Sequence, residues 1–573
     1  MMKNAFFKYG LLPFCLVVFL LSGSAVVFPA DDTPDLPPPG AGADVLEAKV
    51  RESAEKDLLA TPPPEEVPIE EETPPEKKLT GPNFYVRDFI LEGDVVLQPE
   101  DYEHVLAQLK DQTISFEQLQ KMISDLEQLF RSKGYVAVVL LPPQKMEKSE
   151  IRLKVIVSKM GDLTVINNRY YSAWRTRAYW KIKKGAVLDY DRIRKGVLDM
   201  NENPDRMVKP ILKAGKAKGT SDIVLNVEDK FPIHAGYSLD NQGVKLTGKI
   251  RNGFTIKNNN FLGLDDTFLI GTTFGKKDFG VFYMYHVLPV SNFGTKFISS
   301  YSHAQVNPKK QYEIYGINSI SDTYSLALQQ RVIRTDKYSG NIQLGFDFKE
   351  KHTRTQSITT VWDKQRVLSL SGNFQARDKW GGWGLSQGVY FGMPNRGDGW
   401  PLASRQADHA FFKYTYSLTR VQKLPFDTKA IWVLQGQLTP NRLLPTEQMF
   451  LGGAKSVRGY PESDYGADEA IQSRLDYLAP AFFFPKKWKI PYSGGAFREQ
   501  VDLIGFFDMA YGNVYNPSET EHRRRFLAGV GGGFQIRFRS NLSARFEWGI
   551  PVGNDPLTES GNCQFHFTFK VDY

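Results

Sequence analysis

The sequence predicts a transmembrane β-barrel of about 16 antiparallel strands, preceded by two small α+β domains. Three observations carry that expectation. From Phe231 onward helical periodicity gives way to short runs that alternate apolar and polar residues, bounded by Gly, Asn, Asp or Lys. Aromatic residues make up 13% of the chain, with 39 Phe and 26 Tyr, which suits the two aromatic girdles of a barrel in lipid. Between residues 84 and 230 one order of elements, strand-helix-helix-strand-strand, occurs twice.

Residues 1–30 read as a secretory signal peptide. Lys3 and Lys8 precede an apolar run over residues 11–21, and the small residues Gly23, Ser24 and Ala25 follow it. Cys15 lies in the apolar run with no lipobox after it. Cys563 is then the one cysteine of the mature chain, which excludes a disulfide framework within it. No later stretch reaches the ~18 consecutive apolar residues of a spanning helix. The net charge of +8 is spread along the chain, and the clusters at 181–184 and 523–525 are too short to argue for nucleic acid.

Residues 31–82 form a helix and a tether. Over 44–60, Asp44 is positioned as an N-cap and Leu46, Val50, Ala54 and Leu58 recur every fourth residue. Residues 61–82 are rich in Pro and Glu, a composition that favours an extended, solvated chain.

The first α+β domain, 83–159, has expected strands at 85–92, 135–141 and 151–157 and helices at 99–109 and after Ser115. Ser115 and Gln118 make a capping box, and Gly134 closes the helix. The second, 160–230, has strands at 163–167, 207–213 and 222–227 and helices at 173–183 and 190–200. Each such sheet offers an edge to which an extended peptide can add. Ala137, Val139 and Leu141 mark the candidate edge in the first domain, and Lys209 and Ile211, within 209–214, in the second.

Residues 231–573 hold about seventeen candidate strands; single-chain bacterial barrels have even numbers, so 16 is the expectation. The last run is the cleanest. Phe565, Phe567, Phe569, Val571 and Tyr573 share one face, and Gln564, His566, Thr568, Lys570 and Asp572 the other. Such a strand closes a barrel in lipid, where an unpaired edge costs several kcal/mol per orphaned group. The interruption at 439–470 places Arg458 among Gly452, Gly453 and Gly459 between wall strands, which argues for a loop inserted in the lumen.

Catalytic readings find little support. Gly384 to Gly388 spells GLSQG, but Leu385, Gln387, Val389 and Phe391 continue a strand instead of the strand-to-helix turn that a nucleophile elbow needs. Eight histidines lack metal-ligand spacing, and no phosphate-binding glycine-lysine pattern follows a strand. The chain is therefore read as no enzyme, with neither cofactor nor metal.

Two α+β repeats before a barrel, with EQMFLGGAKSVRGY from Glu447 to Tyr460 ahead of the final strands, resemble the outer-membrane transporters of two-partner secretion, such as those for filamentous haemagglutinin and haemolysin. The resemblance implies that the repeats are polypeptide-transport-associated (POTRA) domains in the periplasm, that the barrel has sixteen strands, and that the helix at 44–60 plugs the pore. It implies a lumen latch in which Arg458, flanked by Val457, Gly459 and Tyr460, meets Asp508 on a later strand. A guanidinium and a carboxylate give a directional, bidentate anchor. The family's aspartate-x-glycine pattern is altered here, with Ala510 after Asp508 and glycine deferred to Gly512. A plain loop arginine and ordinary turn glycines are the alternative readings. The implied partners are a secreted polypeptide, outer-membrane lipid and, during biogenesis, the barrel-assembly machinery, with the transporter a monomer. An insertase of the same superfamily is the alternative function. A passive porin-like or adhesin barrel leaves the two repeats unexplained.

Overall fold

The computed structural model describes residues 42–59, 69–71 and 83–573, the last without 145–148, 245–246, 276–278, 309, 336, 395–406, 408, 486, 490–495, 519–520, 539–540 and 553–562. The expected signal peptide and most of the tether lie outside the described residues. Helix α1 (Ala43–Leu59) and a two-residue strand β1 (Glu70–Glu71) precede the first domain. Asp44 is not the N-cap of α1: Gly42 accepts from the Leu46 amide, and Asp44 is the second residue of the first turn, paired with Lys351 at 2.9 Å.

The first domain contains β2 (Phe84–Val86), β3 (Asp88–Gly93), α2 (Pro99–Leu106), β4 (Gln112–Ile114), α3 (Phe116–Ser132), β5 (Ala137–Leu140) and β6 (Glu150–Val157). The capping box forms as expected, Ser115 accepting from the Gln118 amide and Gln118 from the Ser115 amide. Leu119, Met122, Leu126 and Phe130 of α3 are buried against the sheet, at the spacing of one helical face. Gly134 follows α3 with φ +91°, the left-handed conformation glycine adopts most readily. The expected strand at 85–92 is two strands, because β2 pairs with β4 while β3 pairs with β6. The sheet order is β3–β6–β5.

The second domain contains β7 (Lys159–Ile166), α4 (Ala173–Ala178), α5 (Tyr190–Met200), β8 (Arg206–Ala214) and β9 (Thr220–Asp229). The helix expected at 173–183 stops early. The amides of Tyr179 and Trp180 bond to the carbonyls three residues back, tightening the last turn, and Ile182 is buried in the domain core beyond it. The sheet order is β1–β8–β9–β7, so β1, from the tether, lies outside β8.

Sixteen strands then close into a barrel. Its first half is β10 (Ile233–Asp240), β11 (Arg251–Asn258), β12 (Thr267–Phe274), β13 (Phe279–Pro289), β14 (Thr295–Val306), β15 (Asn318–Arg334), β16 (Tyr338–Thr355) and β17 (Ile358–Asp378). β18 (Gly381–Gly392), β19 (Phe412–Lys423) and β20 (Lys429–Leu438) lead to a small hairpin, β21 (Met449–Leu451) with β22 (Tyr465–Ala467), that stands apart from the wall. β23 (Glu469–Pro480), β24 (Val501–Asn513), β25 (Arg524–Phe538), β26 (Leu542–Pro551) and β27 (Gln564–Asp572) complete the wall. Antiparallel pairing of β27 with β10, Tyr237 opposite Val571, seals it, and Tyr573 and Ala235 exchange backbone bonds of 2.8 and 3.0 Å just beyond. The GLSQG segment is the interior of β18, as its alternation requires.

Burial along β24 separates the two faces of the wall. Phe507, Met509 and Tyr511 are exposed apolar residues facing outward, while Phe506, Asp508 and Ala510 are buried facing the interior.

The second domain is tied to the barrel by charge. Glu202 meets Lys296 at 2.8 Å and Arg331 at 3.1 Å, and Asp199 meets Arg331 at 3.0 Å. Arg206, between the rings of Tyr171 and Tyr179, contacts Asp265 in the turn before β12 at 2.8 Å. Burial alone would raise the Glu202 pKa, but Lys296, Arg334 and Arg331 outweigh it and hold the group at about 2 against an ordinary 4.5. A carboxyl depressed on docking stabilises the docked state fully above pH 4.5 and loses that contribution as pH falls from there towards 2. Spin labels on the second domain and on β14 are expected to report one fixed distance from pH 5 to 8 and a broadened one below pH 4. In Glu202→Gln the broadening is present at neutral pH.

Candidate functional site

The loop between β20 and β23 folds back into the barrel instead of extending into solvent. A buried apolar cluster joins its Leu451, Val457 and Tyr460 to Ala510 and Leu527 of the wall. Val457 and Tyr460, both expected at the latch, are almost fully buried there. Ala510 also explains the altered pattern after Asp508: its methyl fills this cluster, and the close approach of loop to wall falls at Gly512, where a Cβ would stand 2.7 Å from Tyr465.

Arg458 is 0% exposed. Its Nε donates to Asp508 Oδ2 at 2.7 Å and its Nη2 to Asp508 Oδ1 at 2.6 Å, the bidentate fork expected of this pair. The Arg458 backbone amide donates to the same carboxylate at 3.1 Å. The structure adds two acceptors that the sequence did not single out: Asp476 on β23 and Glu547 on β26, each 2.5 Å from a terminal guanidinium nitrogen. The guanidinium carbon of Arg458 lies over the Phe506 ring, 3.6 Å from its centroid.

Three carboxylates around one arginine would repel one another, and two further cations balance them. Arg545 meets Asp476 and Glu547 at 2.7 Å each, and Arg474 stands 3.8 Å from Asp508. Three arginines face three carboxylates, so the cluster is neutral, a condition for burying so much charge. The residues come from β23, β24 and β26, and only pairing register brings them together: Arg474 lies opposite Asp508, and Asp508 opposite Gly529. Alternation on each strand places them on the lumen face, the one signal the sequence held.

Glycines on both sides let the backbones meet. Gly459 has φ +108°, and a Cβ there would lie 2.8 Å from the Pro551 nitrogen; on the wall, a Cβ at Gly549 would lie 2.5 Å from the Gly459 nitrogen. Gly452 and Gly453 also have positive φ but press on Asp464 and Glu462 of the loop itself, so they shape the loop rather than its contact with the wall.

A second anchor holds the loop base. Glu447 meets Lys349 of β16 at 2.5 Å and Lys413 of β19 at 2.7 Å, and its carbonyl accepts from Gln437 at 3.0 Å.

Helix α1 lies inside the same lumen. Leu46 and Val50 pack on Val281, Tyr283, Tyr285, Ala304 and Val306 of β13 and β14. On the adjoining strands Glu47 accepts from Ser302, from Ser321 at 2.7 Å and from Thr323 at 3.1 Å. Arg51 donates to Ser325 at 3.0 Å, and its carbonyl accepts from the Tyr285 hydroxyl at 3.0 Å. The helix also touches the loop, with Lys49 bonded to Ser463 and Lys455 to Ser53 at 3.0 Å. A cavity of about 2090 Å³ remains, bordered by Lys49, Arg51 and Glu55 of the helix and by Lys349, Arg545 and Lys570 of the wall.

The two candidate peptide edges are differently disposed. β5 is an outer strand, and Leu141 lies just past its end. Val139 is buried and its amide donates to Glu127 at 2.8 Å, while Val138 and Leu140 are exposed. β8, which holds Lys209 and Ile211, is not outermost, since β1 pairs with it opposite Ile211 and Leu212.

Among the described residues no group of His, Cys, Asp and Glu is arranged to hold a metal. The family model for haemolysin secretion/activation protein ShlB/FhaC/HecB matches residues 219–536, and that for the ShlB-type POTRA domain matches 84–158. The heme/hemopexin transporter protein HuxB of Haemophilus influenzae (strain 86-028NP) is 22% identical over 450 residues, 74% of this chain and 74% of the relative. The outer membrane transporter CdiB of Dickeya dadantii (strain 3937) is 23% identical over 496 residues, covering 83% of this chain and 84% of that one. The solved structure of CdiB from Escherichia coli superposes with a TM-score of 0.65 at 18% identity, over 94% of this chain and 100% of that chain.

Proposed function

Because the chain belongs to the haemolysin secretion/activation family ShlB/FhaC/HecB, a family of outer-membrane transporters, we propose that it captures one exported polypeptide in extended form at its periplasmic domains and threads it through the lumen to the cell surface. The observation that carries the reading is the loop seated in the lumen by Arg458, in a barrel whose interior is also occupied by a helix. A barrel built for passive diffusion has no use for two separately anchored obstructions.

Capture is by strand addition, in which main-chain bonds give affinity and side-chain pockets give choice. Strand β5 supports this in the first domain. Its outer amide at Val139 is held only by a side chain, Glu127, and the exposed Val138 and Leu140 flank it. An incoming strand replaces one carboxylate contact and covers two apolar residues. The periplasm holds no ATP, so folding of the substrate outside the cell drives transport. The transporter works as a monomer and catalyses no reaction.

Comparing the secreted and surface proteins of a strain lacking this chain with those of its parent tests the proposal. One large extracellular polypeptide is expected to disappear and to return on complementation. An unchanged extracellular set with depleted outer-membrane barrels would instead identify an insertase.

A further inference from the structure

Counting round the wall, each odd-numbered strand begins at the end of the barrel that carries the second domain, as β10 does, and β24 is the thirteenth. The connection before it, residues 481–500, therefore lies on the periplasmic side. It is far longer than its counterparts at that end, such as 335–337, 379–380 and 539–541. The segment folds back on itself: the Phe497 amide donates to the Trp488 carbonyl at 2.8 Å, and Lys489 pairs with Ala496 in an isolated antiparallel bridge. Phe484 is at its centre, with ring centroids 4.5 Å from Phe483, 5.8 Å from Trp488 and 4.4 Å from Phe497. A single helical turn, α6 (Phe497–Gln500), leads into β24.

The outer surface of this connection is apolar and basic at once. Phe482, Phe483 and Trp488 are 65%, 58% and 57% exposed. Lys487 and Lys489, which flank Trp488, are exposed as well. The second domain is attached elsewhere on the rim, where Lys181 stands over Phe293 and Glu202 meets Lys296, at the connection between β13 and β14. In a closed ring of sixteen strands that connection is eight strands away, on the far side of the barrel.

The level of these rings on the wall says what they meet. Ile471, Leu475 and Tyr477 of β23 and Phe507, Met509 and Tyr511 of β24 are exposed on the outward, lipid-facing side. Ile471 lies opposite Tyr511, and Ala479 opposite Leu503. From the first pair to the second is roughly 27 Å along the strand at ~3.4 Å per residue, or roughly 21 Å across the membrane at ~40° of tilt. An apolar band is ~25 Å tall and ends in an aromatic girdle. Phe482 and Phe483 follow Ala479 by three and four residues, so they continue the lipid-facing surface into the girdle and head-group level. Aromatic rings are favoured there, and lysines beside them are attracted to the negative surface of anionic lipid.

We infer that Phe482, Phe483, Lys487, Trp488 and Lys489 form a binding site for anionic phospholipid in the inner leaflet of the outer membrane. The rings lie at the boundary of acyl chains and head groups, and the two lysines meet lipid phosphates. The inference rests on the membrane setting alone and holds whether or not the chain exports a polypeptide. The periplasmic rim is then held on one side by the second domain and on the opposite side by lipid.

Two measurements on the full-length chain test it. In the first, the chain is reconstituted in vesicles of phosphatidylglycerol brominated near the head group. The tryptophan emission of wild type less that of Trp488→Phe gives the share of Trp488, and bromination is expected to quench most of it. An unquenched share overturns the inference. In the second, native mass spectrometry follows lipid retained by the transporter from detergent containing phosphatidylglycerol and phosphatidylcholine in equal amounts. Lys487→Gln combined with Lys489→Gln is expected to lower retained phosphatidylglycerol at least about tenfold and to leave phosphatidylcholine unchanged. Lys487→Arg with Lys489→Arg is expected to retain both lipids as wild type does. Retention of phosphatidylglycerol by the Gln variant at the wild-type level, or equal loss of both lipids, overturns the anionic site. Heat-modified gel migration is expected to match wild type in every variant, because the altered side chains are exposed.

Discussion

Replacing Arg458 with Ala is expected to abolish export while leaving the barrel folded and in the membrane. The substitution removes all four side-chain bonds to Asp508, Asp476 and Glu547. Arg545 continues to compensate Asp476 and Glu547, but the one cation left near Asp508 is Arg474 at 3.8 Å, beside the residue 458 backbone amide. Breaking a buried pair by removing one partner costs roughly 3–5 kcal/mol, because the remaining charge stays buried. At 1.4 kcal/mol per factor of ten, the seated loop loses at least about a hundredfold in population. Wall pairing is untouched, so heat-modified gel migration and membrane insertion are expected to match wild type. Arg458→Lys keeps the charge but not the planar fork, and intermediate export is expected. Gly549→Val unseats the same loop by another route, since its Cβ meets the Gly459 nitrogen and the Arg458 carbonyl carbon, which are backbone atoms without freedom to turn aside. Arg458→Ala that exports at the wild-type level would sink the latch.

Replacing Glu47 with Ala is expected to open the pore. Three hydroxyls from two neighbouring wall strands, Ser302 of β14 and Ser321 and Thr323 of β15, converge on this carboxylate, which is almost fully buried. At about 1 kcal/mol net for each hydrogen bond, their loss weakens seating of the helix by roughly 3 kcal/mol, about a hundredfold in the empty-lumen population. Single-channel recordings in planar bilayers are expected to show large openings at least tens of times more often than in wild type. Deleting residues 42–59 sets the ceiling of that conductance, and Arg51→Ala is expected to act in the same direction by freeing Ser325. If the deletion leaves the conductance unchanged, α1 does not block the lumen. Because Lys49 and Lys455 join helix to loop, Glu47→Ala and Arg458→Ala together are expected to deviate from additivity.

Local signals were legible wherever a residue's environment is set by its neighbours in the chain. The capping box at Ser115 and Gln118, the left-handed Gly134, and the alternation of the closing strand from Phe565 to Val571 all stand in the structure as the sequence implies. Arg458 and Asp508 were legible because the loop motif and strand carried a resemblance. Asp476, Arg474, Arg545 and Glu547 were not: each is one lumen-facing polar residue among many. Nor did any pattern mark the docking of the tether, since a two-residue strand has no period to detect.

The sequence alone determined that this chain makes an antiparallel strand wall behind two α+β domains, while the count of sixteen, expected from about seventeen candidate runs, is fixed by the pairing. In lipid every backbone group must be paired within the protein, so a run of period-2 strands has closure as its one stable outcome. What only the tertiary structure decided is who meets whom across that wall. A shift of one residue in pairing sends each side chain to the opposite face, and register is a property of two strands rather than of either. That register set three carboxylates and two arginines around Arg458, three hydroxyls around Glu47, and a piece of the tether on the edge of β8.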